Sequence, residues 1–97
     1  MGFFAVHYTY TDDQASLDEV RPIHRAYLGG LAQSGVLFAS GPLLETDPGE
    51  ALLLFRAESA DEVVELLDTD PFHEEGLIAQ RRVQAWDPLI GALANKR

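Results

Sequence analysis

The sequence predicts an α+β fold in which four strands and two helices follow one another in the order βαββαβ. Short runs rich in aromatic and branched apolar residues alternate with longer segments that repeat apolar residues every three or four positions. Glycine and proline mark most of the boundaries, and no internal repeat is present. This order is the split βαβ pattern of ferredoxin-like domains, in which two helices cover one face of a four-stranded antiparallel sheet.

The first strand is predicted from Phe3 to Thr11, where aromatic and β-branched residues are frequent. A helix is expected after it, from about Leu17 to Ser34. Proline is comfortable only in the first turn of a helix. Pro22 therefore suggests that Leu17–Val20 forms a separate turn and that the main helix starts near Arg21.

Two glycines, Gly29 and Gly30, lie in the middle of this predicted helix. Each costs roughly 1 kcal/mol relative to alanine, so some other interaction must compensate. We expect close packing of the helix on the sheet at this point. Gly35 is expected to end the helix, because glycine readily adopts the left-handed conformation found there.

The second and third strands are predicted at Val36–Ala39 and Ala51–Phe55, joined by a long loop. The second helix begins at a capping box headed by Ser59, and Asp70-Pro71 interrupts it. The fourth strand follows at Leu77–Trp86. For a ferredoxin-like topology the expected strand order is 4-1-3-2, with the fourth strand at an edge where its charged residues discourage foreign pairing.

Both faces of the predicted sheet are apolar. Adjacent side chains of a strand point to opposite faces, so Leu52 and Leu54 cannot share a face with Leu53 and Phe55. One set packs under the helices and the other would be exposed to water. A large exposed apolar patch is typical of an interface. The sequence therefore predicts a homodimer formed through the open sheet face.

Composition bounds the class of protein. The 97 residues suit one domain, 1–97, with a core at about 3–88 and a tail at about 89–97. The absence of cysteine excludes disulfides and thiolate chemistry. The net charge of −9 argues against a nucleic-acid partner. No apolar run is long enough for a membrane span, and the N-terminus is typical of a strand rather than a signal peptide, so we expect a cytoplasmic protein.

Several short motifs occur in a characteristic order. They are Arg21-Pro22-Ile23-His24-Arg25-Ala26-Tyr27-Leu28, Gly35, Ala39-Ser40-Gly41-Pro42-Leu43, Asp70-Pro71-Phe72 and Gly76. Together they resemble the YciI-like (YCII-related domain) family of the dimeric α+β barrel group. The resemblance implies a ferredoxin-like fold, a homodimer and an active site built on a histidine and an aspartate, which correspond to His24 and Asp70. The activity of the family is mostly unassigned, although one relative is a dehydrochlorinase acting on a chlorinated hydroxyhydroquinone.

His24 shares the apolar helix face with Leu28 and Leu31. By itself this position is typical of a core histidine with hydrogen-bonded ring nitrogens. The resemblance instead favours a general acid/base, a role suited to a side chain that titrates near neutral pH. Asp70 precedes Pro71 and is expected to cap a helix. One of its oxygens can do so while the other accepts the imidazole N–H of His24.

Three further residues are predicted to bind substrate. Arg21 lies one turn before His24, where it can bind an anionic or enolate oxygen or merely pair with the acidic surface. Ser40 is expected to line the same cleft, and His7 to face either the cleft or the dimer interface. A metal site is disfavoured because the histidines at 7, 24 and 73 lack ligand spacing. No phosphate loop or dinucleotide motif is present, so no cofactor is expected.

The leading hypothesis is a small-molecule enzyme that uses the His24–Asp70 dyad for cofactor-free elimination or isomerisation of a cyclic or phenolic compound. The alternative is a non-catalytic module in which the same pocket holds a small ligand. A third interpretation is purely structural, with the dyad as a buried polar pair. Tyr8, Tyr10 and Trp86 are most simply core or interface residues, and the alternative for them is the wall of an aromatic pocket.

Overall fold

The computed structural model describes residues 1–97. Its elements follow the predicted order, with one additional short helix before the last strand. The strands are β1 (Gly2–Tyr10), β2 (Leu37–Leu43), β3 (Glu50–Ala57) and β4 (Ile78–Trp86). The helices are α1 (Gln14–Gln33), α2 (Ala60–Asp68) and α3 (Pro71–Glu74), and a turn of 3-10 helix occupies Ala94–Lys96.

The four strands form one antiparallel sheet in the order β2-β3-β1-β4. The predicted ferredoxin-like topology is therefore confirmed, including the edge position of β4. At the centre of the sheet, Val6 of β1 lies opposite Leu53 of β3 and Val83 of β4. Val6 and Leu53 are buried beneath the helices, so the first strand of the chain forms the middle of the core.

Helix α1 is continuous from Gln14, and the predicted separate turn before Arg21 is wrong. The helix starts early because the side chain of Asp13 accepts a hydrogen bond from the amide of Ser16 and caps the first turn. Pro22 is exposed inside the helix. It removes one hydrogen bond on the solvent side, where water can hydrate the carbonyl left without a donor.

The expectation that Gly29 and Gly30 pack closely against the sheet is also wrong. Both are exposed, and a methyl group added to either would meet no heavy atom within 4 Å. The cost of two glycines in the helix is therefore not offset by packing within the chain. Gly35 does end the helix region as predicted, with a φ of +86° that favours glycine.

Strand β2 is longer than predicted, because it continues through Gly41 and Pro42 to Leu43. The register places Pro42 opposite Ala51 of β3. Because β2 is an edge strand, its outer side has no neighbouring strand to which it could hydrogen-bond. Proline, which lacks an amide N–H, is tolerated in such a strand. The predicted capping box of the second helix is confirmed, with the Ser59 side chain accepting a hydrogen bond from the amide of Glu62.

The two faces of the sheet differ in burial. Leu53 on the helix side is 1% exposed, whereas its neighbour Leu52 on the other side is 42% exposed. Trp86 at the end of β4 lies on the same uncovered face and is 44% exposed. The helices therefore cover only one side of the sheet. None of the helices is long and apolar enough to cross a membrane.

Candidate active site

His24 and Asp70 are in direct contact, as predicted. Nδ1 of His24 lies 2.7 Å from Oδ1 of Asp70, although 46 residues separate them along the chain. His24 extends from the buried face of α1, and the pair is 6% and 0% exposed respectively. Since a carboxylate can only accept, Nδ1 carries the proton and donates it to Asp70. The neutral imidazole then has its free lone pair on Nε2.

Local structure fixes Asp70 in this position. It caps the short helix α3, and its Oδ1 accepts a hydrogen bond of 3.0 Å from the amide of Phe72. Pro71 occupies the first position of that helix, where its missing amide costs nothing. The predicted capping role and the contact with His24 are thus both present. The predicted division between the two oxygens is wrong, because Oδ1 accepts both hydrogen bonds and Oδ2 is left for another donor.

Tyr8 is a third member of the site that the sequence analysis assigned to the core or an interface. Its hydroxyl donates a hydrogen bond of 3.0 Å to Oδ2 of Asp70, and the whole residue is buried. Burial, and next the charge of Asp70, raise the pKa of the Tyr8 phenol far above its usual value. Tyr8 therefore stays a neutral donor. In the sequence it looks like any other inward residue of β1, which is why the pattern did not reveal it.

The ring of His24 stacks on Phe72, with centroids 3.9 Å apart and an interplanar angle of 16°. Its Nε2 makes no hydrogen bond within the chain and is not among the fully enclosed, unpartnered polar atoms. The ring is thus clamped by Asp70 on one edge and by Phe72 on one face. Its free nitrogen is presented to the adjoining cleft.

The cleft has a volume of about 690 Å³ and lies between α1 and the sheet beside β2. It is large enough for a small ring compound. His24, Phe72, Arg21 and Ser40 all line it, so one catalytic candidate and two of the three predicted substrate-binding residues meet at this cleft. Asp70 is fully buried behind the His24 ring and does not line the cleft.

Of the two roles considered for Arg21, the pairing with an acidic surface residue is present. Arg21 lines the cleft, and its Nη1 also lies 2.6 Å from the Asp18 carboxylate on the exposed side of α1. The hydrogen bond from Arg21 lowers the pKa of Asp18. Part of the Arg21 charge is therefore already neutralised within the helix.

His7 is not among the cleft residues. It lies on the uncovered face of the sheet, where its Nε2 is 2.6 Å from Oε1 of Glu50. The strand alternation that buries Tyr8 sends its neighbour His7 to the other side. His7 therefore lies on the face expected to form the dimer interface, which is the second of the two positions predicted for it.

Tyr10 forms part of the cleft wall, which is the alternative position that the sequence analysis gave it. Its ring meets Phe72 edge to face, with centroids 5.3 Å apart. Burial, and next the charge of Asp70, raise the pKa of Tyr10 to about 12, while Arg21 and Arg25 act in the opposite direction. The cleft therefore combines an aromatic wall with two guanidinium groups on α1, and the acidic residues Glu45 and Glu50 also line it.

No group of three or more His, Cys, Asp or Glu side chains is arranged to hold a metal ion. The chemistry visible here is that of a histidine with one nitrogen held by a carboxylate and the other facing a cleft. Such a pair can take up a proton from a bound molecule and return it.

Comparisons with known proteins bear on the family and the fold of the chain. The family model of the YCII-related domain matches residues 1–87, and the chain belongs to that family. A solved structure of 5-chloro-2-hydroxyhydroquinone dehydrochlorinase (TftG) from Burkholderia phenoliruptrix AC1100, in complex with 2,5-dihydroxybenzoquinone, is similar, with a TM-score of 0.75 and 27% sequence identity. The match covers 87% of this chain and 92% of that one. No curated protein matches.

Proposed function

We propose that this member of the YCII-related domain family is a small-molecule enzyme that carries out a cofactor-free elimination or isomerisation of a cyclic or phenolic compound. The observation that carries the proposal is the state of the His24 ring. Nδ1 is held by a buried carboxylate at 2.7 Å, and Nε2 has no partner in the chain. A base held in one tautomer with its lone pair toward a cleft is the arrangement that proton transfer requires.

In the proposed reaction, Nε2 of His24 removes a proton from a hydroxyl or an acidic carbon of the ligand. The electron pair of that broken bond then forms a new double bond. In an elimination the leaving group departs with its own electron pair, and the proton on His24 passes to solvent or to the leaving group. In an isomerisation the same proton returns to a different carbon. Asp70 stabilises the imidazolium in either case, as a carboxylate does in a catalytic triad.

The ligand in this proposal is a planar ring. The stacked ring of His24 on Phe72 and the edge of Tyr10 form an aromatic wall beside the base. Arg21 and Ser40 line the same cleft and are proposed to contact oxygen atoms of the ligand. The similar dehydrochlorinase, which is described with a dihydroxybenzoquinone, supports a compound of this class.

The alternative is a module that binds such a ring without reacting with it. One observation favours it: His24 is only 6% exposed, so access to Nε2 is narrow. Binding and catalysis make different predictions for substitution of His24. A binder loses affinity, whereas an enzyme loses turnover more than affinity.

The test uses 5-chloro-2-hydroxyhydroquinone as substrate and measures chloride release. His24→Gln and Asp70→Asn are compared with the parent, and His73→Gln is the matched control because His73 is outside the cleft. Loss of general acid/base catalysis typically costs about 100- to 10,000-fold in rate. We expect losses in that range for His24→Gln and parent activity for His73→Gln.

Two results would contradict the enzyme proposal. One is chloride release that His24→Gln leaves unchanged. The other is binding of 2,5-dihydroxybenzoquinone, seen by NMR at cleft residues, with no chloride release by the parent. The second result would support the binding module.

We further propose that two copies pair through the uncovered sheet face. Leu52, 42% exposed, and Trp86, 44% exposed, belong to that face, and the His7–Glu50 pair lies on it. Burial of this surface against a second copy would remove it from water. A cytoplasmic location, and the absence of metal, cofactor and nucleic-acid partners, remain predictions from the sequence.

A further inference from the structure

Arg25 of α1 lines the cleft and has no partner in the chain. It is exposed, and it forms no ion pair and no side-chain hydrogen bond. The other arginine of the cleft, Arg21, is bound to Asp18. In a chain of net charge −9, an unpaired guanidinium facing a cleft is a local exception to the acidic surface.

Arg25 is close in the chain to the candidate base, His24. It follows His24 directly and lies four residues after Arg21, so the two arginines occupy successive turns on one side of the helix. The charges of both act on the phenol of Tyr10 in the cleft wall. Both arginines line the same cleft as His24.

Gly29, one turn after Arg25, has no explanation in the packing of the fold. It lines the cleft, is exposed, and a methyl group in its place would meet nothing within 4 Å. Side chains of a helix lean toward its N-terminus, so a larger residue at 29 would extend toward Arg25. The glycine costs about 1 kcal/mol of helix stability relative to alanine and keeps the space beside Arg25 empty.

We propose that Arg25 and Gly29 form a subsite for an anionic oxygen group, such as a carboxylate, on the ring compound whose reacting part lies at His24. Arginine presents a planar fork of donors that matches a carboxylate, and Gly29 provides the room for it. This subsite names the substrate class of the proposed enzyme, and it rests on the proposed function, in which the cleft beside His24 holds the ligand. It assigns to this chain a preference for acidic ring compounds over neutral ones.

The first test is a binding titration with 2,5-dihydroxybenzoate and with hydroquinone, which lacks the carboxylate. We expect the parent to bind the carboxylate compound about tenfold more tightly, which corresponds to ~1.4 kcal/mol. Arg25→Gln should remove most of this difference. Arg82→Gln is the matched control, because Arg82 lies on the uncovered face of the sheet and outside the cleft, and it should keep the full preference.

The second test separates the subsite from a structural role. Gly29→Leu should raise the melting temperature, because leucine is the better helix former, and yet lower the affinity for 2,5-dihydroxybenzoate about tenfold or more. Gly30→Leu is its matched control. Gly30 is equally exposed and equally free of neighbours but does not line the cleft. It should raise the melting temperature and leave affinity unchanged.

The subsite is overturned if the parent binds neither probe at millimolar concentration, if it binds both equally, or if Arg25→Gln preserves the preference. It is also overturned if Gly29→Leu binds as the parent does. A different result would contradict the proposed enzymatic function. If binding is selective and depends on Arg25 but no proton transfer occurs at His24, the subsite proposal stands and the protein is a binding module.

Discussion

The hydroxyl of Tyr8 donates a hydrogen bond of 3.0 Å to Oδ2 of Asp70. The other oxygen of that carboxylate serves the His24 ring and the amide of Phe72. Three donors from three separate elements therefore converge on one side chain that is 0% exposed. This convergence gives the His24 ring a single orientation, because the carboxylate to which it is bound cannot turn without breaking the other two bonds.

Removing the hydroxyl of Tyr8 tests this dependence. In Tyr8→Phe, Oδ2 of Asp70 becomes a buried acceptor without a donor, which costs about 1–3 kcal/mol of unfolding free energy. We also expect a shift of the His24 ring resonances in NMR spectra. Tyr27→Phe is the control, since that hydroxyl bonds to the carbonyl of Leu66 and the hydroxyl of Thr69 and not to Asp70 or His24. Unmoved His24 resonances in Tyr8→Phe would show that Tyr8 does not position the ring.

Asp70 and its near neighbour Asp68 should respond very differently to alanine substitution. Asp70→Ala leaves three buried donors unpaired and should cost about 3–5 kcal/mol. Asp68 is half exposed, and its pairing with Arg81 is a surface interaction worth up to ~1 kcal/mol. Urea unfolding of both variants measures the difference. Equal losses would mean that the network around Asp70 contributes no special stability.

The same comparison extends to the histidine. His24→Ala removes one donor but leaves Asp70 with Tyr8 and the amide of Phe72, so we expect a smaller loss than for Asp70→Ala. The open cleft beside the ring also admits water to the vacated space. A loss as large as that of Asp70→Ala would favour a mainly structural role for the pair.

Alkaline pH should destabilise the protein through Tyr10. Burial raises its pKa from 10.0 to about 12 in the folded state. Between these values the unfolded chain has released a proton that the folded chain retains, so the free energy of unfolding falls as pH rises. The stabilisation is complete below pH 10.0 and is lost as pH rises through about 12. Urea unfolding at increasing alkaline pH should show this decline, and Tyr10→Phe should make it shallower. A parent whose stability stays constant over this range would contradict the shift.

The uncovered sheet face can be tested through Leu52. A glutamate at this position would place a charge in the apolar paired face, so Leu52→Glu should sediment as a monomer and remain folded. Ile23→Glu is the control, because Ile23 is exposed on α1, away from the sheet. A parent that sediments as a stable monomer at micromolar concentration would refute the dimer.

Much of the fold could be predicted from the sequence because its signals are local. The capping box at Ser59 and the Asp70-Pro71 helix start each depend on a few adjacent residues, and both are present in the structure. The predicted start of α1 near Pro22 and the predicted end of β2 before Pro42 were wrong for a different reason. Whether a proline is tolerated depends on what lies on its amide side, solvent or a neighbouring strand, and that is a property of the assembled fold.

The site was only partly predictable. The contact of His24 with Asp70 was expected from the resemblance to a known family rather than from any periodicity. Tyr8 was missed because a core tyrosine and a hydrogen-bonded one follow the same strand pattern, and its partner lies 62 residues away. Gly29 was misread as a packing glycine because the sequence does not show that the space beside it is empty.

The central position of β1 also bears on the order of events during synthesis. Of the four strands of this sheet, β1 leaves the ribosome first, but its two neighbours in the sheet are β3 and β4. Until β4 has been made, one edge of β1 has no partner, and until Asp70 has been made, His24 has none either. Pairing over such long sequence separations is slow relative to local helix formation. The nascent domain therefore carries an apolar strand with one free edge until β4 has been made, and its acid–base pair forms only after Asp70 has been made.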